Sequence, residues 1–382
     1  MIRVLAVLIA VLMTASLGAS GALAHPNIAN VRDYGAVGNG TTDDTAAFQS
    51  AINAAQSLGG EVYLPPASPR YVIWSALTYN VSMGPLTIRG SGKYASVVRY
   101  TGTGTWLSAI GGNTSIQLTL ADFTLQLHGI GGIGVDMSQA VSSTVRSVRI
   151  ASSIGSANGT GINARPTNSA WAPFFNVLDD VTFDALTSGL VLDSTVGNGP
   201  NRWRILALTC LSVTDCIRIG ANSTQLVSGT DILGVYCDEQ TGACLSLGAN
   251  ADRTTIVGAR QETAAGGSLF SINPAANRTV ILGYQDHGGL IGSSALGIRG
   301  FLTGQWDEGV AWSGATSTIP QRAVRDSDSG IYIDFGPTTF ASLGTAGNGR
   351  VLYCSDCTKT TPCASGGSGA LAKRLNGAWD CN

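Results

Sequence analysis

Cys216-Ile217-Arg218-Ile219 and Cys244-Leu245-Ser246-Leu247 stand 28 residues apart, and each places a small residue ahead of an apolar–polar alternation. The same pattern recurs upstream as Gly189-Leu190-Val191-Leu192, Gly161-Ile162 and Gly134-Val135-Asp136-Met137, so the five units start 27, 28, 27 and 28 residues apart. A second signal runs in step through Arg204-Ile205-Leu206, Asp231-Ile232-Leu233-Gly234, Thr255-Ile256-Val257-Gly258 and Val280-Ile281-Leu282-Gly283, with its Ile residues 27, 24 and 25 apart. Short strands of period two, repeating at this interval without helices between them, are what a solenoid of stacked β-coils requires. A β-sandwich is the competing architecture, but its hairpins give turn signals every 8–12 residues or about that.

Composition agrees. The 382 residues include 50 Gly, 44% are hydrophobic and only 12% are charged. Such a chain can bury a core, which excludes a disordered tail, and its Gly content disfavours a helical bundle. A net charge of −2 leaves no basic excess for a nucleic-acid partner held through phosphates, and no charged membrane-binding patch is evident.

The ends speak to compartment. Arg3, the apolar run Val4 to Met13 and Ala22-Leu23-Ala24 read as a cleaved signal peptide over residues 1–24. An N-terminal anchor helix is the alternative, although the run is short for a bilayer of ~30 Å. A secreted or periplasmic destination suits eight cysteines. Cys210 and Cys237, and Cys216 and Cys244, occupy equivalent places in adjacent coils. Closure within each coil is favoured over bonds between coils. Cys354, Cys357, Cys363 and Cys381 could hold zinc, but disulfides are the favoured reading in an exported chain.

Solenoid ends need covering. Thr42-Asp43-Asp44 can begin a helix with Phe48, Ile52 and Ala55 on one face, ending near Gly59-Gly60 before the strand Glu61-Val62-Tyr63-Leu64-Pro65. The run Val31-Arg32-Asp33-Tyr34-Gly35-Ala36-Val37-Gly38-Asn39-Gly40-Thr41-Thr42-Asp43-Asp44 through Ile52, with Gly60 to Pro65, resembles the opening of the pectate lyase superfamily. That superfamily includes polygalacturonases, rhamnogalacturonase and epimerase relatives, and phage tailspikes. The resemblance implies an all-β, right-handed parallel β-helix with an N-terminal capping helix over residues 25–310. It also implies a polysaccharide partner. Residues 311–382 look like the small Cys-rich C-terminal module of tail-like and secreted β-helix proteins.

Breaking a glycan needs two carboxylates, or a base beside a uronate carboxylate, often with calcium. Acids in register across coils were therefore sought. Glu239, Glu262 and Asp286 lie 23 and 24 residues apart, and Asp215 lies 24 before Glu239. These give Glu239 and Glu262 as an acid–base pair with Asp286 in support. Asp238 and Asp307 flank the column, Arg218 and Arg260 could neutralise a substrate carboxylate, and Trp306 offers a sugar-stacking face. Trp171, Trp203 and Trp312 are further platforms. No metal ligand set stands out, although a column of carboxylates would suit calcium. Asp122 and Asp179-Asp180 read as turn residues.

The superfamily's pectinases carry an Asn-Thr-Asp triplet, an Asp pair, a Gly-His-Gly and an Arg-Ile-Lys, and this chain lacks that set. His25, His128 and His287 have none of the expected neighbours. The expectation is a lyase or glycoside hydrolase on an acidic or modified glycan. The rival is a non-catalytic tailspike-like or adhesin-like binder, which could assemble as a homotrimer.

Overall fold

The computed structural model describes residues 27–112, 116–169, 173–262, 267–273, 275–276, 278–286, 302–306, 322–327, 330–335, 339–343 and 351–382. Two parallel sheets dominate. Sheet A runs through Ile28–Asn30, Glu61–Leu64, Leu86–Gly90, Leu118–Leu127, Thr144–Ser152, Val177–Asp179, Arg204–Leu211, Asp231–Asp238, Thr255–Gln261, Val280–Asp286 and Leu302–Trp306. Sheet B stacks eight strands: Leu77–Asn80, Thr105–Ile110, Ile133–Asp136, Thr160–Ala164, Ser188–Leu192, Asp215–Ile219, Ala243–Leu247 and Ser268–Ile272. Among the described residues, the coils that carry the eight sheet B strands pass once through both sheets, as a right-handed β-helix requires, and a short third face is formed by Val227–Ser228 on Ala251–Asp252.

Register explains the repeat. Leu120, Val145, Leu178, Ile205, Ile232, Ile256 and Ile281 form one inward column of sheet A, and all are buried. Val135, Ile162, Leu190, Ile217, Leu245 and Phe270 form its counterpart in sheet B. Each such side chain is worth roughly 1.5–3 kcal/mol on burial.

The Gly-or-Cys position is set by what faces it. In sheet A, Phe183, Cys210 and Cys237 stack in one inward column. A Cβ on Gly161 would come within 2.5 Å of the Phe183 ring, as would one on Gly189. In the next two coils Phe183 gives way to cysteine, and the facing residue becomes Cys216 or Cys244. Cys210–Cys216 and Cys237–Cys244 then bridge the interior of each coil, as the favoured pairing expected.

Corners are made by single residues in the left-handed region. One column comprises Asp122, Ser147, Asp180, Ala207, Gly234 and Gly258, and splits each sheet A strand into two arms. A second comprises Ser142, Phe175, Arg202, Gly229, Arg253 and Arg278, and a third Ala185, Ser212 and Glu239. A non-glycine residue there costs about 1–2 kcal/mol, so these corners bend sharply only because the stacked ladders on either side hold them.

The cap is the helix α1, Thr45–Leu58, which buries Phe48, Ala51, Ile52 and Ala55. Phe48 packs edge-on to Tyr71 at 5.3 Å. Asp44 does not cap α1 through its side chain. Its carboxylate accepts N–H bonds from Val37 at 2.6 Å, Gly38 at 3.2 Å and Val72 at 3.3 Å, tying the preceding loop to the first coil. Asp43 receives the Thr45 N–H at 3.0 Å instead.

Val351–Cys354, Ala370–Leu375 and Ala378–Cys381 form an antiparallel sheet with its own core around Trp379. Cys354–Cys357 and Cys363–Cys381 are disulfides, so these four thiols are not a zinc site. The proposed signal peptide lies outside the described residues. Among those residues no helix is long and apolar enough to cross a membrane.

Gly189→Ala should lower the unfolding free energy by about 1–3 kcal/mol, since the new Cβ meets both Phe183 and the Cys216 carbonyl. Phe183→Leu in the same chain should recover part of that loss, read by urea denaturation. Unchanged stability of the single variant would show that the glycine column does not serve packing.

Candidate functional site

The acids sought in register are offset from one another. Tyr236 pairs with Arg260 and Arg260 with Gln285, so these coils repeat after 24 and 25 residues. Glu239 to Glu262 is 23 and Glu262 to Asp286 is 24, one short each time. Glu262 therefore lies level with Asp238, its N–H bonded to the Cys237 carbonyl at 3.0 Å. Glu239 sits one residue further on, at a corner with φ 57°, where its carboxylate accepts from the Ser212 hydroxyl at 2.6 Å. Asp286 occupies the register position of Gln261, and Trp306 that of Asp286. Asp307 lies outside the described residues, as do Glu308, His25, His287, Trp171 and Trp312.

Two of the expected residues, Arg260 and Glu262, converge with Tyr236. On the outer face of sheet A the Tyr236 hydroxyl donates to Glu262 Oε2, and the Arg260 guanidinium lies 5.8 Å over the Tyr236 ring and 3.9 Å from Glu262 Oε1. Hydrogen bonding to Glu262 first, then burial, pushes the Tyr236 hydroxyl up to about 12, so it stays protonated at neutral pH. Glu262 and Arg260 are each about half exposed, at 50% and 48%. An aromatic face, a carboxylate and a guanidinium in one place suit sugar contact. Tyr236 carries no mark in a sequence pattern of charges and Trp, being one more polar position of a period-two strand.

Asp215 and Arg218 belong to sheet B. Asp215 is engaged by the backbone, accepting from Ala243 N–H at 2.9 Å. Arg218 stands in the outward column Asp136, Asn163, Val191, Arg218, Ser246, Ser271. Trp203 is no platform: it is fully buried, its indole N–H bonded to the Pro173 carbonyl at 2.8 Å. His128 is exposed and meets only Ser153, at 3.0 Å.

The most chemically poised group of this face is Asp136. Strand alternation sends Val135 and Met137 into the core and Asp136 outward, yet burial among its neighbours raises its carboxyl above the ordinary range. That rise persists although Oδ1 accepts from Ser138 N–H at 3.0 Å and Ser138 Oγ at 2.5 Å. Ser138 Oγ in turn accepts the Arg165 N–H at 3.0 Å from the next coil. The Arg165 guanidinium pairs at 2.8 Å with Asp193, whose buried carboxylate also takes the Asn222 N–H at 3.1 Å and the Ser223 hydroxyl at 3.2 Å. Successive coils are thus laced together at the end of sheet B, and Arg218 lies three coils from Asp136, about 14 Å along the axis. A desolvated carboxyl of raised proton affinity on an outer face is a candidate for proton transfer. The signal was present in Gly134-Val135-Asp136-Met137, but a search for acids repeated in register passes over a solitary one.

The family model described as "Rhamnogalacturonase A/epimerase, pectate lyase-like" matches residues 28–236. Over 109 residues the chain is 38% identical to the mannuronan C5-epimerase AlgE3 of Azotobacter vinelandii, a span covering 25% of this chain and 6% of that protein. Alginate lyase 7 of the same organism is 57% identical over 42 residues, 11% of this chain and 5% of the relative. The chain thus spans a small fraction of the length of these relatives. Among solved structures, the surface adhesin PfbA of Streptococcus pneumoniae is 15% identical, with 72% of this chain and 76% of that one covered and a TM-score of 0.49. ORF18 of Geobacillus virus E2 is 14% identical, covering 91% and 68% with a TM-score of 0.45. With more than half of its length matched by that model, and folded as a right-handed parallel β-helix, the chain belongs to the rhamnogalacturonase A/epimerase, pectate lyase-like family.

Proposed function

We propose that this is an exported protein that acts on an acidic polysaccharide by lyase-type proton transfer, with Asp136 as the group that moves the proton. The observation that carries the reading is a carboxyl kept basic by burial on an outward strand position. Ionised Asp136 would take the proton beside a uronate carboxylate. The glycosidic C–O bond then breaks, a C=C bond forms in the uronate ring, and the leaving oxygen gains a proton. Arg218, in the same column, would neutralise a neighbouring carboxylate of the polymer. A hydrolase needs a second available carboxylate, and Asp193 is already bound by Arg165, Asn222 and Ser223. The names of the epimerase and lyase relatives favour a uronate substrate for this chain too.

Arg260 and Glu262 with Tyr236 are proposed as a sugar contact, and calcium as an aid to uronate binding. A second reading is favoured by the half-exposed state of Arg260 and Glu262: a non-catalytic glycan binder, for which a homotrimer is the assembly to test by particle mass. Water has free access to such groups, which suits recognition better than chemistry.

Purified protein should be incubated with alginate, polygalacturonate and a neutral glucan, with and without calcium, reading ultraviolet absorbance of unsaturated ends and new reducing ends. Asp136→Asn is expected to cut product formation at least about a hundredfold, the scale of general acid–base loss, whereas Glu262→Gln should mainly raise KM. Full activity in Asp136→Asn would overturn the assignment. Loss only in Glu239→Gln and Glu262→Gln would move the chemistry to sheet A. No product on any glycan, with binding retained, would leave the binder.

Asp136 also has a pH signature. Its folded pKa lies above the unfolded one, so its contribution to stability is present at low pH and is lost as pH rises through the folded value. Activity should therefore rise with pH across that raised value. Asp136→Asn should be at least as stable as the parent at neutral pH by thermal melting. A variant that melts earlier there would contradict the burial penalty.

A further inference from the structure

We infer that the corner between the short third face and sheet A is a second binding site, taking a linear polyanionic glycan lengthwise along the solenoid axis. Ser142, Phe175, Arg202, Gly229, Arg253 and Arg278 occupy this corner in successive coils, all with φ between 50° and 70°. Their stacking is fixed by Ser142 N–H to Phe174 O at 2.9 Å, Phe175 N–H to Asn201 O at 3.1 Å, Arg202 N–H to Ser228 O at 3.0 Å and Gly229 N–H to Asp252 O at 3.1 Å.

What stands at these positions differs from the other corners of this molecule. The other two left-handed columns carry only Asp, Ser, Ala, Gly and Glu. Here an exposed aromatic and three exposed arginines occupy a backbone conformation that glycine would take freely, as Gly229 does. These side chains are exposed and add nothing to the core, although Arg278 reaches back to Asp252 on the third face.

The groups are arranged as a strip. The Arg202 guanidinium lies 5.5 Å over the Phe175 ring, which is 51% exposed. Arg278 is held by the buried Asp252 through two bonds, Nε to Oδ1 at 2.8 Å and Nη2 to Oδ2 at 2.6 Å, and Ser228 Oγ donates to the same carboxylate at 3.2 Å. Arg253 is 63% exposed, its Nε 3.8 Å from Asp252. Two positions further round, exposed Arg204 registers with exposed Asp231. Four arginines against two aspartates leave an excess of two positive charges on a chain whose net charge is −2.

Spacing selects the ligand. Coils rise about 4.8 Å, so Arg253 and Arg278 are one step apart and Arg202 and Arg253 about 10 Å apart. An extended uronan or sulfated glycan carries its charges at comparable intervals, one per sugar. One aromatic for three guanidinium groups is too few for stacked bases, which disfavours single-stranded nucleic acid. The site is separate from Asp136 and does not rest on the chemistry proposed there.

The test is titration of the purified protein with fluorescently labelled oligogalacturonate at several salt concentrations. The parent is compared with Arg202→Gly/Arg253→Gly, a change the backbone tolerates. The double variant is expected to bind about tenfold more weakly, with a log–log salt slope smaller by about one per arginine removed. Its melting temperature should be unchanged or higher. Arg202→Lys/Arg253→Lys should retain most of the affinity. Equal affinity and slope in the glycine variant, no binding by the parent, or tighter binding of an oligodeoxynucleotide would each overturn the inference.

Discussion

Everything in this molecule depends on one constraint: each coil must present inward a set of side chains that complements both the facing arm of its own coil and the coil beneath. Backbone ladders hold adjacent coils at a fixed rise, leaving no freedom to adjust volume by moving sheets apart. Where sheet A offers Phe183, sheet B must offer Gly161 and Gly189. Where it offers Cys210 or Cys237, sheet B can offer a cysteine, and a covalent bond fills the space the ring filled before. The repeat is thus a record of what lies opposite, more than of strand propensity.

That is why the architecture could be read from the sequence and the site could not. Spacing of Gly, Cys and Ile identifies coils, because every coil must satisfy the same opposition. The in-coil disulfides follow for the same reason, as their positions six and seven residues apart span one corner. Outward residues obey no such rule. Their alignment depends on the length of each coil, which is 24 residues from Tyr236 to Arg260 and 25 from Arg260 to Gln285. A shift of one residue turns a side chain to the other face of the sheet. Glu239, Glu262 and Asp286 fall out of line through this, and Asp44, in the run that begins the helix, spends its carboxylate on closing a loop onto Val72.

The outer surface divides labour between faces and corners. Sheet faces bring together residues from neighbouring coils at close range, as in Tyr236 with Glu262, or Ser138 with the Arg165 backbone. Those contacts can desolvate a carboxyl, and Asp136 is the result. Corners hold one exposed side chain per coil, in contact at most with its neighbour along the column, as Arg202 is with Phe175 and Ser212 with Glu239. Chemistry that needs a shifted proton affinity belongs on a face, and a polymer that needs many weak contacts can be met along an edge.

The left-handed corners have one more consequence, for how such a protein changes over generations. A residue there is held by the ladders around it, and its side chain touches neither the core nor the partner sheet. Ser, Phe, Arg and Gly have all been accepted in a single column. Selection can therefore rewrite one site per coil without disturbing the interior, so lineages sharing this scaffold can diverge in what they hold long before they diverge in how they fold.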